Sequence, residues 1–331
     1  MRAVVLVGGF GTRLRPLTLH TPKQMLPVVH RPMIERVVEH LARHGITEAA
    51  LALGYRPDVF QAAYPDSHCA GVKLHYAIEP EPRDTAGAIR FAAKDAGIAE
   101  RFLVLNGDIL TDLDIGALVA AHERTGAEGT IALHRVDDPS AFGVVPTDPD
   151  GRVTAFIEKP PRDDAPTDLI NAGTYVLEAS VLDRIEPDVP VNVERVTFPA
   201  MVADGSLYAL DGDTYWLDAG TPATYLAANL DLITGRRGAE AGVHPDAEVD
   251  GAVAGAVVGR GAQVGQGAIV SRSVLLPGAV VGAGAIVQDA IIGARARVGD
   301  GAVVEGGAVL GDDATVEPGD VVQGARIPED S

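Results

Sequence analysis
The sequence predicts an α/β protein in two parts. Residues 1–235 read as a Rossmann-like, mostly parallel sheet with helices on both faces. Residues 243–326 read as a left-handed parallel β-helix. Three observations predict this. Short apolar runs alternate with helical patterns through the first part. A glycine-rich turn follows the first apolar run at once. After Gly235, aliphatic residues recur every six positions.

In the first part, Ala3–Val7, Ala49–Leu53, Leu74–Ile78 and Phe102–Leu105 have the apolar, β-branched texture of buried strands. Pro32–His44 carries Met33, Ile34, Val37, Val38 and Leu41 on one helical stripe. Pro32 stands near its start and Gly45 after its end. Thr85–Ala96 and Ile115–Arg124 read as two further helices. Strands are expected near Thr130–Val136, Val153–Ile157 and Ala172–Leu177, as a substrate-binding extension of the same domain.

The tail repeats. Ile292, Val298, Val304, Leu310, Val316 and Val322 form one six-residue column, with small Ala296, Ala302, Ala308 and Ala314 four residues after the first four. Val258, Val264, Val270 and Leu276 form an earlier set of the same period. The phase slips near Val281–Val287, and again between Val249 and Val258. A disordered tail would lack a periodic aliphatic column. About 80 residues predict roughly four coils of three hexapeptides each. Such solenoids need their ends protected or paired, so a homo-oligomer is expected through this part.

The chain has 331 residues and a net charge of −19. That charge argues against nucleic acid and anionic membranes as partners, since both require a basic footprint. No run reaches the ~18 apolar residues of a membrane span. The opening apolar run is too short for the core of a signal peptide. Cys69 is the only cysteine, which fits a reducing, cytoplasmic setting. Only Lys23, Lys73, Lys94 and Lys159 are lysines, so basic residues near glycine turns stand out as anion contacts.

Gly8-Gly9-Phe10-Gly11-Thr12-Arg13 follows the first strand directly. Its backbone N–H groups can form a phosphate nest. No Gly-Lys-Ser/Thr follows, so it is not a Walker A loop. Leu14 stands where a dinucleotide fingerprint needs its third glycine. A plain strand-to-helix turn is the other reading; Arg13 and Lys23 weigh against it. Lys23 lies between Pro22 and Pro27, which stiffen its segment, and suits a phosphate oxygen. Asp108 closes the strand that ends in Asn106-Gly107, at the carboxyl edge where open α/β sheets bind ligands. Its hard oxygen suits Mg²⁺. Asp112 and Asp114 are expected as turn or cap residues. Asp218, after the only tryptophan (Trp216), is either a second metal carboxylate or an ordinary helix-start aspartate. Glu158 and Lys159 could meet a sugar hydroxyl and a phosphate, or form a surface ion pair. Asn171 could bind a hydroxyl or sit in a turn.

Taken in order, these motifs resemble the nucleotide-sugar pyrophosphorylases, and most closely the mannose-1-phosphate guanylyltransferase group. They are the glycine loop through Thr18, Pro22-Lys23, Asn106-Gly107-Asp108, Glu158-Lys159-Pro160, Asn171-Ala172-Gly173 and Trp216-Leu217-Asp218-Ala219-Gly220. Asp137–Val145, Ile170–Tyr175, Val193-Glu194-Arg195 and Phe198-Pro199 are similar as well. The resemblance implies Mg²⁺-dependent transfer of a nucleotidyl group from an NTP, GTP first, to a hexose 1-phosphate, mannose 1-phosphate first. Pyrophosphate leaves and a nucleotide sugar forms. It implies that Gly8, Gly9, Gly11, Thr12, Arg13 and Lys23 hold the triphosphate. Glu79, Thr85 and Gly87 fall in the base-reading segment. Gly143, Glu158, Lys159 and Asn171 meet the sugar phosphate, and Asp108 and Asp218 bind Mg²⁺.

The sequence departs from the guanylyl type at Gln24, where Pro-Lys-Pro is usual, and at Arg83-Asp84, where Leu-Gly is. Lys23-Gln24 is similar to the thymidylyltransferases that use glucose 1-phosphate. A uridylyl or adenylyl enzyme is a related alternative. A non-catalytic regulatory homologue would be expected to lose Arg13, Lys23, Asp108, Lys159 or Asp218, and all are present. An acyltransferase in the tail lacks a base, since no histidine or lysine follows His244.

Overall fold
The computed structural model describes residues 1–328 of the chain. It forms two compact units that interleave in sequence: Met1–Gly9 with Glu35–Trp216, and Phe10–Ile34 with the chain from Leu217 onward.

The first unit is built on a ten-stranded sheet. Its strands are β1 (Arg2–Leu6), β2 (Glu48–Leu53), β3 (His68–Cys69), β4 (Val72–Ile78) and β5 (Phe102–Asn106). Five more follow: β6 (Gly129–Arg135), β7 (Gly143–Val144), β8 (Ile157–Glu158), β9 (Leu169–Leu177) and β10 (Leu207–Asp211). β1 lies between β2 and β5, parallel to both, and β2 is parallel to β4. β1, β2 and β5 are apolar almost throughout, as strands buried on both faces require, while β4 nearer the edge alternates buried Val72, Leu74 and Ala77 with exposed Lys73, His75 and Ile78. β9 runs antiparallel to β5 and carries β6 on its other side, with β10 beyond. The start of β9 instead pairs with β7, and β7 with β8.

Helices α1 (Met33–Arg43), α2 (Pro57–Ala63), α3 (Asp84–Asp95), α4 (Ile115–Thr125) and α5 (Phe198–Ala203) accompany the strands. Asp114 caps α4, accepting the Ala117 N–H at 3.0 Å. That is the cap role its sequence position suggests. The core joins Val4, Ala50, Phe102 and Val104 to Ile89 and Ala92 of α3 and to Phe198 and Met201 of α5.

One expected strand is not formed as predicted. Of Val153–Ile157, only Ile157 joins a strand, as Ile157–Glu158. Just before it, Asp148 Oδ1 accepts the Asp150 and Arg152 N–H groups at 3.0 and 2.9 Å, and Gly151 is left-handed at φ 81°. That turn re-aims the chain, so Val153 is buried but held only by its N–H to the Leu207 carbonyl at 3.0 Å and a bridge to Thr147.

In the second unit, the chain beyond Val243 stacks into three parallel five-stranded sheets, the arrangement expected of a left-handed β-helix. The first face runs from Glu248–Val249 to Thr315–Val316. The second runs from Ala252–Ala254 to Val321–Gln323, and the third from Val257–Val258 to Arg326–Ile327. There are five rungs, where the period suggested about four.

The inward column differs from its expected phase at one point. Leu275, not Leu276, pairs with Val258 and Ile292. The slip expected between Val249 and Val258 is present, at Val253–Val258, and further five-residue steps fall at Val270–Leu275, Val287–Ile292 and Val322–Ile327, while Val281 and Val287 are in register. The cause lies at the corner between the second and third faces. A single left-handed residue, Arg272 or Asp289, turns it in five residues. In the next coil Gly306 and Gly307 are both left-handed, and the corner takes six.

Helix α6 (Pro222–Ile233) packs along the third face, whose outward residues Val257, Val274, Ile291 and Val309 are buried. Its Asn229 Oδ1 accepts the Val29 N–H at 2.6 Å, and its Tyr225 hydroxyl donates to the Pro27 carbonyl. These bonds fix the segment that carries Lys23.

Candidate active site
The parallel strands end in the residues expected to do chemistry. Gly8 follows β1, Glu79 follows β4 and Asp108 follows β5. A Cβ on Gly8 would lie 4.0 Å from Glu79 Oε1. The Gly107 N–H donates to the Leu6 carbonyl at 2.9 Å, which places Asp108 next to the end of β1. Asp108 is 9% exposed.

Past Gly9, at φ 96°, the glycine loop enters the second unit. Gly11 is left-handed at φ 61° and opens a 3₁₀ turn, Thr12–Leu14. Its carbonyl accepts the Leu14 N–H at 2.9 Å and the Thr18 hydroxyl at 2.7 Å. A side chain at Gly11 would press on Thr18 and on Lys23 Cβ, 3.1 and 3.3 Å away. Loop and lysine are therefore adjacent. Lys23 itself opens the 3₁₀ turn Lys23–Met25 behind Pro22. Arg13, 63% exposed, reaches to 3.8 Å from Asp218. Asp218 Oδ1 accepts the Gly220 N–H at 2.7 Å. A Cβ on Gly220 would come within 2.7 Å of both Arg13 Nη2 and Asp218 Oδ1, so a side chain there would have to displace these two groups.

In the first unit, Gly143 stands directly opposite Glu158 across β7 and β8. A Cβ on Gly143 would meet the Phe156 ring at 2.7 Å and Glu158 Oε2 at 3.2 Å. Lys159 takes a left-handed turn at φ 50°, its N–H donating to the Phe142 carbonyl at 3.0 Å. Its ammonium is 3.4 Å from Glu158 Oε1. Val144 pairs with Ile170, which brings Asn171 next to this pair of strands.

Asn171 sits inside β9, on a bulge. Its Oδ1 accepts the Gly173 N–H at 2.9 Å, and its Nδ2 donates to the Tyr175 hydroxyl at 2.9 Å. Gly173 is left-handed at φ 69°, and a Cβ there would strike Ile109 Cδ1 at 2.5 Å and Asn106 Nδ2 at 2.6 Å. Trp216 Nε1 donates to the Ala172 carbonyl at 2.9 Å. Its ring stacks on His134 at 5.3 Å and meets Phe142 edge-on at 5.6 Å. Glu158, Lys159 and Asn171 thus gather beside an aromatic wall. Carboxylate, ammonium and amide suit a sugar phosphate.

In the segment expected to read the base, Glu79 Oε2 accepts the Arg83 N–H at 3.1 Å, and burial raises its pKa above the ordinary carboxylate range. The Thr85 hydroxyl donates to Glu194 at 2.9 Å and accepts the Val193 N–H at 2.8 Å. Gly87 is buried, and a Cβ there would lie 3.1 Å from the Val189 carbonyl.

Glu194 carried no role in the sequence reading, although its Val193-Glu194-Arg195 text stood out. It lies on a π-helical turn, a local form frequent at functional sites. Burial raises its pKa, helped by the field of Glu158. Gln24, where the sequence departs from the guanylyl type, is 1% exposed with neither Nε2 nor Oε1 hydrogen-bonded.

Asp108 and Asp218 offer hard carboxylate oxygens. Among the described residues no group of three or more His, Cys, Asp or Glu is placed to hold a metal unaided. One or two carboxylates completed by phosphate and water is the donor set that fits Mg²⁺.

A glycine loop after β1, an aspartate after β5 and a lysine beside the β7–β8 pair are the features a nucleotide-dependent transferase would need. Comparison with known proteins gives the family. Residues 2–235 match the nucleotidyl transferase model and residues 238–329 the GMPPB C-terminal domain. The chain belongs to the nucleotidyl transferase family and is a nucleotidyltransferase. It is 43% identical over 289 residues to the mannose-1-phosphate guanylyltransferase of Mycobacterium tuberculosis, covering 82% of this chain and 79% of that one. It is 43% identical over 240 residues to the mannose-1-phosphate guanyltransferase of Aspergillus fumigatus, covering 71% and 65%. The crystal structure of HddC from Yersinia pseudotuberculosis complexed with GMP-PN is similar at a TM-score of 0.60 and 29% identity, covering 69% of this chain and 97% of that one. No helix among the described residues is long and apolar enough to cross a membrane.

Proposed function
We propose that this nucleotidyltransferase transfers a guanylyl group from GTP to mannose 1-phosphate, forming GDP-mannose and pyrophosphate in the cytoplasm. The observation that carries the reading is the 43% identity, over 82% of the chain, to an enzyme named for that reaction. The GMP-PN bound by the Yersinia neighbour supports the choice of base.

In this reading a phosphate oxygen of the sugar phosphate attacks the α-phosphorus of GTP. One P–O bond forms and the bond to pyrophosphate breaks. The protein supplies position and charge. The N–H groups of Gly8, Gly9, Gly11 and Thr12 cradle the triphosphate, with Arg13 and Lys23 against its charge. Lys159 aligns the attacking phosphate, while Glu158 and Asn171 accept and donate to sugar hydroxyls beside Gly143. Glu79, Thr85 and Gly87 border the base. Asp108 and Asp218 would hold Mg²⁺, which when bound neutralises phosphate charge. Arg13, 3.8 Å from Asp218, would exchange that carboxylate for the pyrophosphate in this reading.

A second reading, dTTP with glucose 1-phosphate, is favoured by Lys23-Gln24. Pyrophosphate release measured across GTP, dTTP, UTP, ATP and CTP with mannose and glucose 1-phosphates separates the two. GTP with mannose 1-phosphate is expected to give the highest kcat/KM, by at least tenfold. A higher value for dTTP with glucose 1-phosphate overturns the first reading in favour of the second.

A further inference from the structure
The outward column of the third β-helix face changes character at its last rung. Val257, Val274, Ile291 and Val309 are aliphatic and buried, paired in register one rung to the next. The fifth member, opposite Val309, is Arg326. A terminal coil commonly ends in polar residues, because no further coil covers it. Such a cap would look to water. Arg326 is half-buried instead, and its Nη1 donates to the Arg15 carbonyl at 3.1 Å, across 311 positions of sequence. The rung before it meets the next residue of the same loop. A Cβ on Gly311 would lie 2.9 Å from Pro16 Cβ, and Pro16 is buried.

We propose that the last rung of the β-helix is part of the nucleotide site. Arg326 is a positioning residue that, together with Gly311, fixes Arg15-Pro16 and through them the aim of Arg13.

The 3₁₀ turn Thr12–Leu14 presents Arg13, and its two ends are held differently. The leading end is held from within the loop, where the Gly11 carbonyl accepts the Leu14 N–H and the Thr18 hydroxyl. The trailing end closes with the Arg15 N–H on the Thr12 carbonyl at 3.1 Å. Past that bond, Arg326 holds the Arg15 carbonyl and Gly311 backs Pro16. A charged donor on a backbone carbonyl makes a strong hydrogen bond. Arg13 is 63% exposed, too open for packing to hold its side chain. Where its guanidinium reaches is therefore set by the backbone of the turn. If Arg13 meets the triphosphate, the reading on which this rests, a shift of about 1 Å can cost up to ~10²-fold in rate.

Pyrophosphate release by the full chain tests this, with nucleotide and sugar phosphate varied separately. Arg326→Ala is expected to lower kcat/KM for the nucleotide about tenfold, with KM for the sugar phosphate within about twofold and circular dichroism unchanged. Arg326→Lys keeps a charged donor and is expected to recover most of the loss. Gly311→Ala presses on Pro16 and is expected to give the same signature as Arg326→Ala. Because Arg326 acts through Arg13, the double variant Arg13→Ala with Arg326→Ala should be no slower than Arg13→Ala alone. Wild-type activity in Arg13→Ala would overturn the role of Arg13 and this inference with it. A slow Arg13→Ala beside wild-type kcat/KM in both Arg326→Ala and Gly311→Ala overturns the inference alone. So does an additive double variant, or a sugar-phosphate KM that rises as much as the nucleotide's.

Discussion
Single side chains carry two predictions. Asp108 is nearly buried at the end of a parallel strand, next to the end of β1. Asp108→Asn keeps the shape and removes the charge. If Asp108 meets Mg²⁺, the loss of a few kcal/mol of charge stabilisation cuts kcat roughly 10²-fold or more. Circular dichroism and Tm should hold. Activity within threefold of wild type would remove Asp108 from the site. Glu194 gives a pH prediction. Burial raises its pKa in the folded state, so the folded chain favours the protonated acid. Its contribution is fully present below the ordinary glutamate range, about pH 4.3, and is lost as pH rises through the raised value. Glu194→Gln keeps an acceptor for the Thr85 hydroxyl and cannot ionise. Its Tm should therefore gain on wild type as pH rises from 4.5 to 8, by about 1–3 °C. A Tm difference that is flat with pH would contradict the burial argument. The place of Asp108 at the carboxyl edge of the sheet was legible because it follows an apolar strand and a glycine directly. Glu194 was not, because it is buried by the fold and its hydrogen-bond partner Thr85 lies 109 residues away in sequence.

At the scale of elements, the parallel strands and the long helices were legible because period and composition agree locally. Phe102–Leu105 and Met33–Arg43 need no distant partner to be recognised. The strand expected at Val153–Ile157 failed because its apolar residues are buried singly, after a tight turn made by Asp148 and Gly151. The β-helix period was legible, but its phase was not. A five-residue corner costs one residue of register, and the left-handed residue that permits it can be arginine or aspartate as well as glycine. The bulge in β9 was also hidden, since Asn171-Ala172-Gly173 reads equally as a turn. Its structure yields the element-scale prediction. Gly173 is left-handed and tight against Asn106 and Ile109. Gly173→Ala should cost of order 2 kcal/mol through backbone strain and overlap. It should also disturb Asn171, whose Oδ1 accepts the Gly173 N–H. Urea unfolding is expected to shift its midpoint with m unchanged, and KM for the sugar phosphate should rise more than KM for the nucleotide. A rise confined to the nucleotide would place the bulge in the wrong subsite.

The whole molecule sets a field that single residues cannot. Asp and Glu number 46 against 27 Lys and Arg, yet the proposed substrates are both polyanions. In the proposed site Arg13, Lys23 and Lys159 would attract them over a few ångströms, while the net charge repels them over tens. Salt separates the two ranges. The screening length falls from ~30 Å at 0.01 M to ~8 Å at 0.15 M. Over that interval the long-range repulsion is largely lost, while contacts within the glycine loop are little screened. For most enzymes of anionic substrates, capture slows as salt rises, because steering is lost. The opposite is expected of this chain. At fixed free Mg²⁺, kcat/KM for the nucleotide should rise up to about threefold between 10 and 100 mM salt, then fall as the local cations are screened in turn. Stopped-flow or steady-state pyrophosphate release across that series reads it directly. A monotonic fall from the lowest salt would mean that the basic residues of the loop govern the approach of substrate, and that the excess carboxylates lie too far from its path to matter.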